Sequence, residues 1–142
     1  MPMSKIPLDL RAAYQATHYV IQHPDGDLIV QIDRHNPELA AFQTQQAAYS
    51  GAYLTAWNPY SQIATPEDNV AANSFLEAKL AQAGLKYLPC LGKDPTGQWT
   101  AEPGFWIFNA DRRWLKRVGR RFRQNALVFS GPTNVPRLFC LR

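Results

Sequence analysis

The chain has 142 residues, of which 46% are hydrophobic and 12% aromatic, and its formal net charge is +4. This length suits one globular domain, residues 1–142, which needs neither a metal nor a disulfide to fold. No run of about 18 apolar residues is present, and the N-terminus has no apolar signal core, so we expect a cytoplasmic protein that does not enter a membrane. The two cysteines, Cys90 and Cys140, are not at metal-ligand spacing and are expected to be free thiols.

The predicted elements begin with a helix over residues 4–16, in which Leu8 and Ala12 are expected to face inward. Two stretches with the composition of strands, 18–23 and 28–33, flank the turn sequence Pro-Asp-Gly-Asp. Proline and glycine supply the backbone angles of a tight turn, so this stretch predicts a hairpin of two strands.

A second helix is predicted to begin at Pro37, with Asn36 as its cap, and to run to about residue 49, where Gly51 ends it. The run 52–57 is apolar on both faces, which indicates a strand at the centre of a sheet.

The next helix begins with Thr65 as a capping residue and Pro66 at the first helical position, and it is expected to run to about residue 83. The remaining predicted elements are strands at 86–91 and 104–108, a basic helix at 111–122, and strands at 125–129 and 137–141. Helices interleave with strands, yet hairpins also occur. The order therefore predicts an α+β (mixed α/β) fold: a single mixed β-sheet of five to seven strands with three to four helices packed on it.

Hydrogen-bonding side chains follow the predicted central strand, in the segment Thr55-Ala56-Trp57-Asn58-Pro59-Tyr60-Ser61-Gln62. On the next helix, Asn69 and Asn73 share a face with two leucines that must point toward the sheet. A buried amide without a partner costs about 1–3 kcal/mol, so the two asparagines need a role there. Two interpretations stay open: they brace the backbone of residues 57–62, or they bind a polar ligand.

Two other strand junctions carry polar residues. Glu102 precedes the strand at 104–108, and Gln124 and Asn125 stand before the last core strand. Glu102 is expected either to pair with a later arginine, with Arg121 the one to watch, or to act as an acid or base. Ligands often bind at strand ends, which predicts one pocket there. Its expected residues are Thr55, Asn58, Ser61, Asn69, Asn73, Glu102, Arg121, Gln124 and Asn125, with Glu102 and Arg121 as candidate catalytic residues.

Positive charge is concentrated at one end of the chain. Residues 111–142 contain nine lysines and arginines against Asp111 alone, a net charge of +8. This segment offers a candidate surface for a nucleic acid or an acidic protein. Its residues are Arg112, Arg113, Lys116, Arg117 and Arg120. The alternative is that arginines late in the helix only stabilise its negative end.

No phosphate-binding loop, dinucleotide-binding glycine pattern or paired Cys or His spacing occurs in the sequence. We therefore predict no cofactor and no metal site.

Several of these motifs in combination resemble the bacterial family called domain of unknown function 3293. The matching residues are Thr55-Ala56-Trp57-Asn58-Pro59 with Ser61, then Asn69 and Asn73, then Trp99 with Glu102-Pro103-Gly104-Phe105, then Arg121-Phe122-Arg123-Gln124-Asn125-Ala126. The resemblance spans roughly residues 14–129 and implies a small, soluble bacterial protein. It transfers no catalytic residues.

Three functions stay open. The chain binds a small polar or phosphorylated, nucleotide-like ligand at the strand ends, or it binds a nucleic acid or acidic partner through the basic helix. In the third interpretation the polar residues only brace the fold, and the protein serves as a structural or interaction subunit.

Overall fold

The computed structural model describes the backbone of residues 8–142 and side chains from residue 10 onward. Its helices are α1 (Leu8–Ala16), α2 (Pro37–Gln45), α3 (Pro66–Gln82) and α4 (Arg112–Arg121). Its strands are β1 (His18–Ile21), β2 (Leu28–Val30), β3 (Gly51–Leu54), β4 (Tyr87–Lys93), β5 (Glu102–Phe108), β6 (Ala126–Ser130) and β7 (Arg137–Cys140). The part of the first predicted helix that precedes residue 8 lies outside the described residues.

The strands form one seven-stranded sheet in the order β2-β1-β4-β5-β3-β6-β7. This confirms the α+β class, with four helices among the described residues. The expected sheet was a mixed one, whereas every pairing between these strands is antiparallel. The predicted central strand is confirmed too, because all four residues of β3 are buried and β3 lies between β5 and β6.

Helices cover both faces of the sheet, which separates two apolar cores. Leu39 of α2 joins the core that contains Tyr53 and Trp106. Leu76 of α3 and Leu115 of α4 join the core on the other face. Each of these fully buried leucines contributes about 1.5–3 kcal/mol by leaving water, so the inward faces of the helices hold the layers together.

The sheet is curled, and the segments beside its two edge strands hydrogen bond to each other. The Asp33 backbone N–H, beyond β2, donates to the Pro136 carbonyl before β7 at 2.8 Å. The buried Gln43 of α2 donates through Nε2 to Asn134 Oδ1 at 2.8 Å. On the surface, Arg137 Nη1 lies 2.7 Å from Asp33 Oδ1. These bonds reduce the open edge that the curled sheet offers to other chains.

Several boundaries differ from the predicted ones; β3, for example, ends at Leu54 and not at residue 57. Helix α2 ends at Gln45, because the chain turns at Ala47, which has a left-handed φ of 54°. Gly51 begins β3 instead of ending the helix, and its small size is what matters: a Cβ there would overlap the Trp106 indole and the Gln43 side chain. Strand β5 begins at Glu102, two residues earlier than expected.

The inward face of α1 also differs from the predicted one. Ala12 is exposed, and Tyr14 packs against the core with its hydroxyl toward the strand ends. No helix within residues 8–142 combines the length and apolar character needed to cross a membrane.

Candidate functional site

Three strand ends meet at one end of the central strand. Leu54 is paired with Phe105 of β5, and Tyr53 with Val128 of β6, both in antiparallel register. The exit of β3 therefore lies beside the starts of β5 and β6. This places residues 55–62 next to Glu102 and to residues 124–125, the three junctions that the sequence marks with polar residues.

Asn73 and Thr55 join the exit of β3 to the start of β5. Asn73 Oδ1 accepts from the Ala56 N–H at 2.9 Å, and its Nδ2 donates to the Pro103 carbonyl at 2.9 Å. Thr55 Oγ1 donates to the same carbonyl at 2.6 Å and accepts from the Trp57 N–H at 3.0 Å. The Asn73 amide is thus occupied by backbone groups, which supports the bracing role among the two considered for it.

Gly104 allows this close approach of β5 to β3. A Cβ at this position would lie 2.8 Å from the Leu54 carbonyl oxygen and 2.8 Å from Thr55 Cβ. The first of these is backbone and has little freedom to move. The glycine is therefore required by packing, with no contribution from a positive φ.

Asn58 and Asn69 form a reciprocal pair. The Asn58 N–H donates to Asn69 Oδ1 at 2.8 Å, while Asn69 Nδ2 donates to Asn58 Oδ1 at 2.8 Å. Asn58 Oδ1 also accepts from the Ala64 N–H at 3.0 Å, and Asn58 Nδ2 donates to Glu102 Oε2 at 3.1 Å. Asn58 consequently links α3, β5 and the exit segment, defined as residues 55–62.

The exit segment forms a strained turn. Asn58, Tyr60 and Ser61 have positive φ angles of 46°, 54° and 60°. Non-glycine residues in this region cost on the order of 1–3 kcal/mol each and persist only where the surroundings hold them. The Asn58–Asn69 pair and a 2.6 Å hydrogen bond from the Tyr60 N–H to the Arg123 carbonyl supply that restraint. Such strain concentrates at functional sites.

Glu102 is half-buried and has an amide as its partner. Burial raises the pKa of its carboxyl group, and the hydrogen bond from Asn58 opposes this shift. Within the described part of the chain, no Lys or Arg nitrogen lies within 4.0 Å of it, so the expected pairing with a later arginine does not form. Arg121 lies exposed at the end of α4 and makes no hydrogen bond to the other predicted site residues.

A second group of polar side chains surrounds Ser61. Its Oγ accepts from Asn125 Nδ2 at 2.8 Å and lies 3.4 Å from the Tyr14 hydroxyl. Arg142 Nη1 donates to Asn125 Oδ1 at 3.1 Å, and its guanidinium lies over the Tyr60 ring at 4.2 Å. Burial, above all, raises the pKa of the Tyr14 hydroxyl.

Gln124 completes the backbone contacts of this region by donating from Nε2 to the Trp57 carbonyl at 3.3 Å. Every residue predicted for the site except Arg121 is therefore joined to this hydrogen-bonded region. We call its outer part the rim, defined as Tyr14, Ser61, Glu102, Asn125 and Arg142. Two grooves, of about 570 and 430 Å³, lie elsewhere on the surface.

Sequence reasoning missed two residues of the rim. The pattern of α1 predicts an inward Ala12 and so does not indicate Tyr14. A tyrosine with its polar hydroxyl on a helix face is the local signal that could have identified it. Arg142 carried no local signal, since the β6–β7 hairpin and the 2.8 Å bond from the Leu141 N–H to the Asn125 carbonyl bring it to the site.

The fold and the polar region define an α+β protein with an antiparallel sheet whose polar residues are concentrated at the ends of three strands. The sequence model described as "Protein of unknown function (DUF3293)" matches residues 54–127, slightly more than half of the chain. The chain belongs to this family. The match contains all of the amide and carboxylate residues predicted for the site, while Tyr14 and Arg142 lie outside it. Neither a curated protein nor a solved structure matches the chain.

Proposed function

We propose that the protein binds a small polar ligand, phosphorylated or nucleotide-like, at the rim. One observation carries this proposal: the rim holds a carboxylate and a guanidinium that are bonded to amides and not to each other. Glu102 is bonded to Asn58, and Arg142 to Asn125.

Opposite charges in one polar region ordinarily pair when they can reach each other. Within residues 10–142, neither Glu102 nor Arg142 has an oppositely charged side-chain partner within 4.0 Å. A ligand with a hydrogen-bond donor edge and an anionic group would satisfy both. Ser61 and Tyr14, which lie close to each other, add two hydroxyls for orientation.

The proposal assigns different roles to the residues of the region. Glu102, Ser61, Tyr14 and Arg142 would contact the ligand. Residues whose side chains are already bonded to the backbone would position them: Thr55, Asn58, Asn69, Asn73 and Gln124. Glu102 is the carboxyl group of the rim, and its raised pKa would suit it to proton transfer.

Thermal unfolding with AMP, adenosine and inorganic phosphate tests this proposal. Adenosine offers only the hydrogen-bond donor edge, phosphate offers only the anion, and AMP offers both. We expect AMP to raise the unfolding temperature more than either fragment at equal concentration. A ligand at about 100 times its Kd stabilises the folded state by about 2.7 kcal/mol, a shift of several degrees for a chain of this size.

Three variants make the test specific to the rim. Glu102→Gln and Arg142→Gln should remove the AMP shift, whereas Arg121→Gln, which removes the same charge outside the rim, should retain it. A shift that survives in both rim variants would contradict the assignment of the site. Absence of a shift with all three probes would favour the interpretation that the polar residues only brace the fold.

A further inference from the structure

A second surface combines positive charge with accessible aromatic rings, away from the rim. Phe129 of β6 and Phe139 of β7 stack at 5.4 Å between ring centroids and 16° between ring planes. Both rings are half-buried. Lys116 Nζ lies 5.0 Å from the centre of the Phe139 ring, and the Arg112 guanidinium lies 5.8 Å from that of Phe129.

These rings line an open groove of about 570 Å³ between the start of α4 and the β6–β7 hairpin. Arg112 and Arg137 stand on its walls, and the turn after β6 completes it. Farther along α4, Arg113, Arg117 and Arg120 are exposed. None of the α4 cations forms an ion pair within 4.0 Å with the described carboxylates. The basic groove is defined as Arg112, Lys116, Phe129, Arg137 and Phe139. Arg137 is paired with Asp33, whereas Arg112 and Lys116 carry positive charge that no described carboxylate within 4.0 Å neutralises.

We propose that the basic groove binds single-stranded nucleic acid, with bases stacking on Phe129 or Phe139 and the surrounding cations contacting phosphates. Proteins that bind single strands combine these two features, a positive groove and aromatic platforms. Trp114 of α4 and Phe122 just after it pack against the core, so the platforms come from the strands. The proposal is independent of ligand binding at the rim.

The Phe129 and Phe139 rings favour a single strand over the other candidate polyanions, a duplex and an acidic peptide. Bases present their faces to a protein in a single strand, whereas a duplex keeps them stacked on one another. An acidic peptide would use the cations and leave the ring pair without a role. A single strand uses both features of the groove.

Fluorescence anisotropy with a labelled oligothymidylate of about 20 nucleotides tests the proposal, since this length exceeds a typical single-strand site. An abasic strand with the same number of phosphates, a duplex of the same length and polyglutamate serve as competitors. We expect oligothymidylate to bind at least about 5-fold more tightly than the abasic strand, the lower end of what stacking one base contributes. Equal binding of the abasic strand, the duplex or polyglutamate would overturn the proposal.

Matched variants locate the binding surface. Lys116→Glu should weaken binding and lower the slope of log K against log salt by about 0.7 for each phosphate that the variant no longer neutralises. Lys93→Glu makes the same charge change on an exposed residue of β4 and should alter neither quantity by as much. Phe139→Leu keeps an apolar side chain and should reduce affinity about 5-fold or more. Circular dichroism checks that each variant folds, and equal effects of Lys116→Glu and Lys93→Glu would rule out the groove.

Discussion

The carboxyl group of Glu102 illustrates, at the scale of one residue, the energetic cost of a partly buried charge. It begins β5, is half-buried, and receives one hydrogen bond from the Asn58 amide. Burying a carboxylate disfavours its charged form, and a neutral amide offsets this less than a guanidinium would. The charge at this position is therefore expected to lower stability at neutral pH.

Glu102→Gln should raise the free energy of unfolding at about pH 7, because it removes the buried charge and retains an acceptor for Asn58. The pKa of Glu102 is raised in the folded state, so protonation of its carboxyl group stabilises the folded protein. This contribution is complete below the unfolded-state pKa of about 4.3 and is lost as the pH rises through the folded-state pKa. The advantage of the variant should therefore shrink as the pH falls to about 4. Urea unfolding at both pH values measures it.

The exposed acid Asp27, in the turn between β1 and β2, gives the matched control. Asp27→Asn should change the free energy of unfolding by less than about 0.5 kcal/mol. A Glu102→Gln protein that is less stable than the unchanged protein at about pH 7 would show that the carboxylate stabilises the fold through contacts that outweigh its burial.

Helix α3 illustrates how local and long-range signals cooperate within an element. Its start was predictable, because Thr65 Oγ1 accepts from the Asp68 N–H at 3.1 Å and Pro66 occupies the first turn. Its inward face was predictable too, with Asn73 and Leu76 both buried. The hydrogen-bond partners of Asn73 lie in β5 and in the exit of β3. They could not be predicted from the sequence, because they depend on which strands are neighbours.

Asn73→Ala should destabilise the protein by about 2–3 kcal/mol, because it leaves the Ala56 N–H without its partner and removes one bond to the Pro103 carbonyl. Ser74→Ala changes the next, exposed residue of the same helix and should cost less than about 0.5 kcal/mol. Chemical denaturation of the two variants gives the comparison. Similar costs for both would mean that α3 does not depend on this amide for its position.

At the scale of the whole molecule, two kinds of side-chain contact join the segments on the two sides of the curled sheet. One is the surface ion pair between Asp33 and Arg137, whose side chains are 48% and 58% exposed. The other is the buried amide contact from Gln43 to Asn134. Exposed ion pairs contribute about 0–1 kcal/mol, whereas leaving a buried amide unpaired costs about 1–3 kcal/mol. The amide contact should therefore dominate.

Asn134→Ala should cost about 2–4 kcal/mol, because it deprives Gln43 of its acceptor and places alanine at a φ of 57°. Arg137→Ala should cost less than about 1 kcal/mol. Thermal and urea unfolding of both variants measure the difference. If Arg137→Ala proved the more damaging, the ion pair and not the buried amide would be the main side-chain contact between these segments.

The sequence by itself determined the class of fold, the order of elements and most, but not all, residues of the polar region. Capping at Asn36 and Thr65, the hairpin turn and the buried run of β3 are local signals that operate whatever the rest of the chain does. The family resemblance, confirmed over residues 54–127, also rests on local motifs, such as residues 55–59, 102–105 and 121–126.

Only the tertiary structure decided which of these residues touch. Strand pairing together with helix packing brought Tyr14 and Arg142 to the rim and left Arg121 in solvent. It also placed Phe139 beneath Lys116 of α4. The physical reason is that antiparallel pairing joins segments distant in the chain, and the choice of neighbour depends on how all seven strands pack together. No local pattern encodes that choice.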